Sequence, residues 1–406
     1  MSFAGMRDHS RQGGGGGGPG SGVGVGSGAG GGGVGVGSGA GGGGGVGGNG
    51  GLGGFGGGGG RGTAGGGSTI LGAFTPGGIG SAIGGGGGAG LGGAIFVNAG
   101  SLTLNNSTFF SNTATGGIAG GAGATPGQGA GAAIFVNSGA TATVTNNTIT
   151  ANTATATAPA LAVGGGIATN GGAVNVRNTI VAGNLGGASP DVWGTSFAAT
   201  SIRNLIGIVA GSNLPVAQQL TVPLANVLTP TAALNQATAV PLTYALADST
   251  PTVINPAIDG GDVTAGVAAG ATDERGAGFP RTIGTAIDIG AYEYGPTITG
   301  FKYNDLNGDG VRQLPAEVGL PGWVIAVGAK TATTAADGSY TIRDVKTATP
   351  ITETPPAGTP ATAWVQTVGP TPASTGIVNV TGANFGNFQK TTIAGKTYTD
   401  LAGNAV

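Results

Sequence analysis

The feature that most constrains this chain is a stretch that occurs three times. "GGAIFVNAGSLTLNNSTFFSNTATGG" (92–117) is answered by "GAAIFVNSGATATVTNNTITANTATA" (131–156) and, more loosely, by "GGGIATNGGAVNVRNTIVAGN" (164–184). Each copy holds a short apolar run, a turn with Gly or Asn, an alternating strand rich in Thr and β-branched residues, and a second Asn-containing turn. Alternation such as Leu102/Leu104 or Val174/Val176 is a strand pattern, and no segment here carries a 3.6-residue period. Strands without helical crossovers, in units of about 25 residues, predict one β-helix coil per unit. Ile95, Ile134 and Ile167 would then lie above one another in the core, as would Leu104, Val144 and Val176. Asn112, Asn152 and Asn184 fall at equivalent turns, where stacked amides form a ladder. The glycine-rich insertions 118–130 and 155–163 are expected to loop out between coils.

Composition narrows what such a chain can do. Charged residues are 7% of the 406, and the net charge is −2. That gives no electrostatic case for nucleic acid or an anionic membrane. No cysteine is present, so there is no disulfide framework or thiolate metal site. No apolar run reaches the ~18 residues of a transmembrane helix. The start, "MSFAGMRDHSRQGGGG", lacks the apolar segment of a signal peptide. Residues 13–60 contain 34 glycines. Few side chains there can be buried, which favours a flexible low-complexity tail; the alternative is a bundle of polyproline-II strands packed backbone to backbone.

Residues 85–294 resemble the right-handed parallel β-helix surface proteins of the pectin-lyase-like class, in particular the choice-of-anchor Q group. Beyond the coils, the resemblance rests on "NTIVAGNLGGASPDVWG" (178–194), "NLIG" (204–207), "PAIDGGD" (256–262) and "DERGAGFPRTIGTAIDIGAYE" (273–293). It implies architecture and surface exposure rather than an activity.

After residue 295 the composition changes. Seven acidic and seven basic residues appear over 296–406, and Pro and Gly/Asp turns separate "GWVIAVG" (322–328), "GSYTIRDV" (338–345) and "GIVNVTG" (376–382). This is the pattern of a small β-sandwich. "ITGFKYNDLNGDGV" (298–311) returns as "IAGKTYTDLAGNAV" (393–406), 95 residues on, so a second copy is expected to begin and be cut short. The segment resembles the B-type domains of serine-aspartate repeat surface proteins, which are prealbumin-like or immunoglobulin-like sandwiches. "NDLNGDGV" (304–311), "GLPGWVIAV" (319–327), "DGSYTI" (337–342) and "FGN" (385–387) carry that likeness. The expectation is an all-β chain: a glycine-rich low-complexity segment over 1–65, a right-handed parallel β-helix over 66–294, a prealbumin- or immunoglobulin-like β-sandwich over 295–389, and a truncated repeat over 390–406.

The best candidate site is "DLNGDGV". Asp305, Asn307 and Asp309 alternate, so their oxygens can converge as in the first half of an EF-hand loop. Gly310 permits the sharp turn, Val311 offers its carbonyl, and Gln313 follows. Ala316 occupies the place of the usual bidentate Glu, and Glu317 comes one position late. Calcium is the ion such oxygens would take. The terminal copy has Ala402, Asn404 and Ala405 and should bind poorly or not at all.

Enzyme chemistry finds little support. Between Asp8 and Asp191 there is no Asp or Glu, and the cations are Arg11, Arg61 and Arg177. Proton transfer cannot be staffed from the coils. Asp259, Asp262, Asp273, Glu274 and Asp288 are expected to cap turns and pair with Arg275 and Arg281 to finish the helix end; a catalytic rim for a carbohydrate-active enzyme is the alternative. His9 lies in the tail, and "GAGLGG" (88–93) precedes a strand, not the helix a dinucleotide fingerprint needs. The expectation is a non-enzymatic secreted or cell-surface structural or adhesive protein. Its partners would be extracellular glycans or proteins, with self-association through the glycine-rich tract a further route.

Overall fold

The computed structural model describes residues 77–390 with short interruptions, together with strand segments at 2–4, 25–29 and 38–42. Most of the glycine-rich segment and all of 391–406, including the second "DLAGN" loop, lie outside the described residues. The chain divides into two compact units, 1–294 and 295–406. It is nearly all-β; the described helical elements are the α-helix Val263–Ala268 and two short 3-10 turns.

In the first unit the repeats stack in parallel. Strands 95–97, 134–137, 167–170 and 192–193 form one sheet, with Ile134 between Ile95 and Ile167. Strands 100–105, 140–145 and 173–177 form a second, with Val144 between Leu104 and Val176. A third runs through 108–110, 148–150, 180–181 and 205–206, and Ser2–Ala4 joins its first edge. Equivalent positions are separated by 39–40 residues, then 32–33, then 25. The last step is the bare repeat, and the longer ones carry the insertions. Stacked parallel sheets of this kind are compatible with a β-helix. The apolar stack is the core: Ile134, Ile167, Val144, Val176, Phe109 and Ile149 are fully buried, and partly buried Ile95 packs against them.

The corners are built by left-handed residues followed by Asn, Ser or Thr. Asn106, Asn146, Asn178 and Arg203 have φ of 49–56°, and Ser111, Ala151 and Gly183 occupy the second corner with φ of 55–74°. Asn tolerates this region because its short polar side chain bonds locally.

The insertions do not simply loop out. Gly129-Ala130 and Ala162-Val163 pair in a parallel ladder with Gly90-Leu91. Upstream of it, Gly117 donates to the Gly88 carbonyl (2.7 Å), Gly127 to that of Gly117 (2.9 Å) and Gly120 to that of Gly85 (2.8 Å). A Cβ at Gly87 would lie 2.0 Å from the Gly117 carbonyl oxygen, and one at Gly127 would lie 2.0 Å from that of Gly88. Glycine is required because backbone touches backbone. In the low-complexity segment, Val25–Ala29 pairs antiparallel with Ser38–Gly42.

The second unit is mixed. Strands 339–342, 298–304, 385–389 and 364–368 form one sheet, in which 298–304 and 385–389 run parallel. Strands 330–333, 324–327 and 351–354 form an antiparallel second sheet. Ile298, Tyr340, Ile342 and Phe385 of the first share a core with Ile325 and Val327 of the second.

Candidate functional site

The "DLNGDGV" loop follows the strand that ends at Asn304. Gly308 and Gly310, with φ of 73° and 78°, supply the left-handed turns. The Tyr303 hydroxyl donates to the Gly310 carbonyl at 2.9 Å and pins the loop from below. Buried Asp305 accepts from the N–H groups of Gly308 (2.7 Å), Asp309 (3.2 Å) and Gly310 (2.8 Å). Asp309 is exposed: its Oδ1 takes the Val311 N–H at 2.8 Å, and its Oδ2 takes the amides of Asn307 (3.0 Å) and Gln313 (2.6 Å). The Val311 N–H, with those two amides, holds the Asp309 carboxyl below the ordinary aspartate range.

Asn307, Asp309 and Gln313 therefore meet at the loop's outer side, above Asp305. They are hard oxygen donors of the kind calcium takes. In the arrangement seen, the amide nitrogens of Asn307 and Gln313 face the Asp309 carboxylate while Asn307 Oδ1 accepts the Asp309 N–H at 3.1 Å, so an ion held by the Asp309 carboxylate and both amide oxygens requires the amides to turn. Glu317 is not at this pole. Its two oxygens take the N–H groups of Leu306 (2.9 Å) and Gln313 (2.8 Å), so it braces the two ends of the loop. Among the described residues no group of three or more His, Cys, Asp or Glu side chains converges as a metal site.

The first unit offers a different surface. On the sheet of 100–105, 140–145 and 173–177, alternation turns Leu104, Val144 and Val176 inward and leaves Ser101, Thr103, Asn105, Thr141 and Thr143 exposed. A further ladder aligns Thr113 with Thr153 and Thr115 with Thr155, the last two hydroxyls bonding at 3.1 Å. Charge enters at Arg177, which sits 3.8 Å from Asp262.

Behind these surfaces run the amide ladders. Asn112 Nδ2 donates to Asn152 Oδ1 (2.8 Å), Asn152 Nδ2 to Asn184 Oδ1 (2.8 Å), and Asn184 Nδ2 to Asp191 Oδ1 (2.9 Å). The same oxygens accept the backbone N–H of the residue that donates to them. Burial pushes the Asp191 carboxyl up.

The late acidic cluster does not finish the end of the stack. The segment from 262 to 293 lies along its side, across three repeats. Asn178 exchanges bonds with the backbone of Asp262 (2.7 and 3.0 Å), Asn146 donates to the Gly266 carbonyl (3.0 Å), and Asn106 to that of Thr272 (3.1 Å). The chain then turns back. Glu274 accepts the Thr108 N–H at 3.0 Å, the Ala291 N–H reaches Thr148 Oγ1 at 3.0 Å, and the Gly290 N–H reaches the Asn178 carbonyl at 2.8 Å. Asn106, Asn146 and Asn178 form a ladder of their own, so each amide both stacks and docks this strap.

Four of the strap's carboxylates, Asp273, Glu274, Asp288 and Glu293, are buried, and Asp262 is partly exposed. Asp273 holds Arg275 at 2.6 Å, and that guanidinium lies between the rings of Phe279 and Tyr292. Glu293 accepts the N–H groups of Ile283 and Asp288. Asp288 accepts those of Asp259 and Tyr294. Arg281 is buried 4.0 Å from Glu293. Burial pushes Glu274 and Asp288 up to about 7 and Glu293 up to about 9. These groups organise the strap's backbone and present no open pair to a substrate. Among the described residues no helix is long and apolar enough to cross a membrane. No family model matches this chain, and no curated protein matches it significantly by sequence.

Proposed function

We propose that the chain is a non-enzymatic structural or adhesive protein of the cell surface or secreted space. On this reading the first unit is a right-handed parallel β-helix serving as a spacer and binding face. The second is a prealbumin- or immunoglobulin-like sandwich of a stalk, stiffened by calcium at Asp305, Asn307, Asp309, the Val311 carbonyl and Gln313, with Glu317 as brace. The observation that carries the reading is the partition of polar groups in the first unit. Hydroxyls face outward in register, while Asp273, Glu274, Asp288 and Glu293 are buried and hold backbone N–H groups. A neutral hydroxyl face suits many weak contacts with glycans or polar protein surfaces. Carbohydrate cleavage would need an accessible carboxylate pair, and the cluster at 259–288 is poorly disposed to supply one.

The test is a screen of the full chain against plant and bacterial polysaccharides for both retention and product. Binding without new reducing ends or unsaturated sugars is expected. Product formation lost in Asp288→Asn would replace this reading with the enzymatic one. Labelling of intact source cells with an antibody checks surface exposure.

A further inference from the structure

The first repeat leaves a row of open sheet edges, and one of them already holds a strand. Among the described residues, the edges at Gly90–Leu91, Ile95–Val97, Gly100–Asn105 and Thr113–Thr115 have no strand on their outer side. The edge at Thr108–Phe110 does. Ser2–Ala4 lies against it in parallel, with Ser2 opposite Thr108, Phe3 opposite Phe109 and Ala4 opposite Phe110. An unpaired edge is a template for an extended segment that matches its register. This seat has walls. Thr108 is fully buried; its N–H goes to Glu274 at 3.0 Å, and its hydroxyl bonds Glu274 and, at 3.2 Å, the Thr243 hydroxyl. At the other end the Phe110 ring meets Tyr244 edge-on at 5.7 Å. Between them, Phe3 takes the register position that continues the column Phe109, Ile149, Val181 and Ile206, all fully buried. The seat therefore selects a segment with an apolar residue at its centre, and a slip of one residue would set Ser2 or Ala4 there instead.

The seated strand is short, and it is joined to the repeats by a long stretch of chain. Residues 43–76 alone can reach up to roughly 110 Å when extended. The same edge on a neighbouring molecule is within that reach, and the advantage a tether gives to its own site falls with tether length. We propose that Ser2–Ala4 is a donor strand exchanged between copies, seating on Thr108–Phe110 of a second molecule of this chain. The segment that fits this edge in the structure is the chain's own, so the partner that carries it is another copy. Exchange keeps every pairing of the ladder and changes only which molecule supplies the strand, which makes it a low-cost route to association. Donor and acceptor are different surfaces, so the exchange closes reciprocally between two copies or runs on from copy to copy. Either way it brings the four open edges of the first repeat close to a second molecule.

The chain has no cysteine, so introduced cysteines report the seat without interference. Paired positions on adjacent strands lie within the span of a disulfide. Isotope-labelled full-length Ala4→Cys is mixed with unlabelled full-length Phe110→Cys and oxidised. The expected product is a disulfide between one labelled and one unlabelled chain, several-fold more abundant than either like-with-like dimer. A peptide of residues 1–8, added in excess, should suppress it several-fold, as should Phe3→Asp in the labelled chain. Mixed disulfides no more frequent than like-with-like ones overturn the proposal. So does a double variant, Ala4→Cys with Phe110→Cys, that closes only within single molecules. A second measurement needs no variant of the acceptor edge. The molar mass of the wild-type chain, read by light scattering, should rise with concentration and fall back on adding the 1–8 peptide. A mass that stays monomeric, or association that persists unchanged in Phe3→Asp, overturns the exchange.

Discussion

Glu274 shows what a single residue does here. It lies on the strap, is buried, and accepts the N–H of Thr108 from the first repeat. Burial raises its carboxyl from 4.5 to about 7. A raised folded value means the folded state keeps its proton where the unfolded chain has lost it. The stabilisation is full below about 4.5 and is lost as pH rises through about 7. Glu274→Gln keeps an acceptor without the charge. It is predicted to stabilise the first unit at pH 8, by on the order of 2 kcal/mol, and to flatten the pH dependence between 5 and 7. Chemical unfolding across that range reads both effects. Ile134 has the opposite chemistry: it is fully buried between Ile95 and Ile167. Ile134→Asp places a carboxyl in that stack and is predicted to cost roughly 3–5 kcal/mol or more. An unchanged unfolding midpoint would show that the residue tolerates water.

At the scale of elements, corners and loops carry the specificity and strands carry the area. Asn152 joins two repeats: its oxygen takes both the side-chain and backbone donors of Asn112, and its nitrogen serves Asn184, Phe109 and Thr150. Asn152→Ala strands several buried groups and is predicted to cost about 2–4 kcal/mol. Amide exchange should accelerate first at Asn112, whose N–H loses its acceptor. Thr155→Ala, at an exposed rung, should stay within about 0.5 kcal/mol of wild type. For the loop at 305–313, calcium affinity is expected in the weak extracellular range, about 0.1–1 mM. At millimolar calcium and a Kd near 0.1 mM, the folded unit gains about 1.4 kcal/mol. Asp309→Ala should remove most of that gain; no melting shift at about 5 mM calcium would reduce the loop to a turn held by its own amides.

For the whole molecule, the glycine content divides by context. Near 85–90 and 116–130, glycines let backbones bond where side chains would collide. Over 13–60 the same residue type offers no apolar side chains to a shared core. Deleting 13–60 is therefore predicted to leave the thermal transitions of the rest of the chain unchanged within about 1 °C. A lowered transition of the first unit would show that the segment packs on it.

The triplicate stretch by itself determined the stacking partners. Strand side chains alternate with period two, and a register slip of one residue would turn Val144 to water. It also placed Asn112, Asn152 and Asn184 at one corner, since three copies of one turn must superpose. The loop residues Asp305, Asn307 and Asp309 were readable as a group because they are neighbours in sequence. Only the tertiary structure decided the rest. Glu317 became a brace, because its carboxylate reaches back to Leu306 and not outward. The acidic cluster became a lateral strap, because the amides of Asn106, Asn146 and Asn178, 84 to 166 residues away in sequence, offered it a track. In the second unit, buried Lys302 of strand 298–304 met Glu353 of strand 351–354 because two sheets closed over one core. Local periodicity writes contacts between repeats into the sequence, whereas contacts between unlike segments depend on how the whole chain closes.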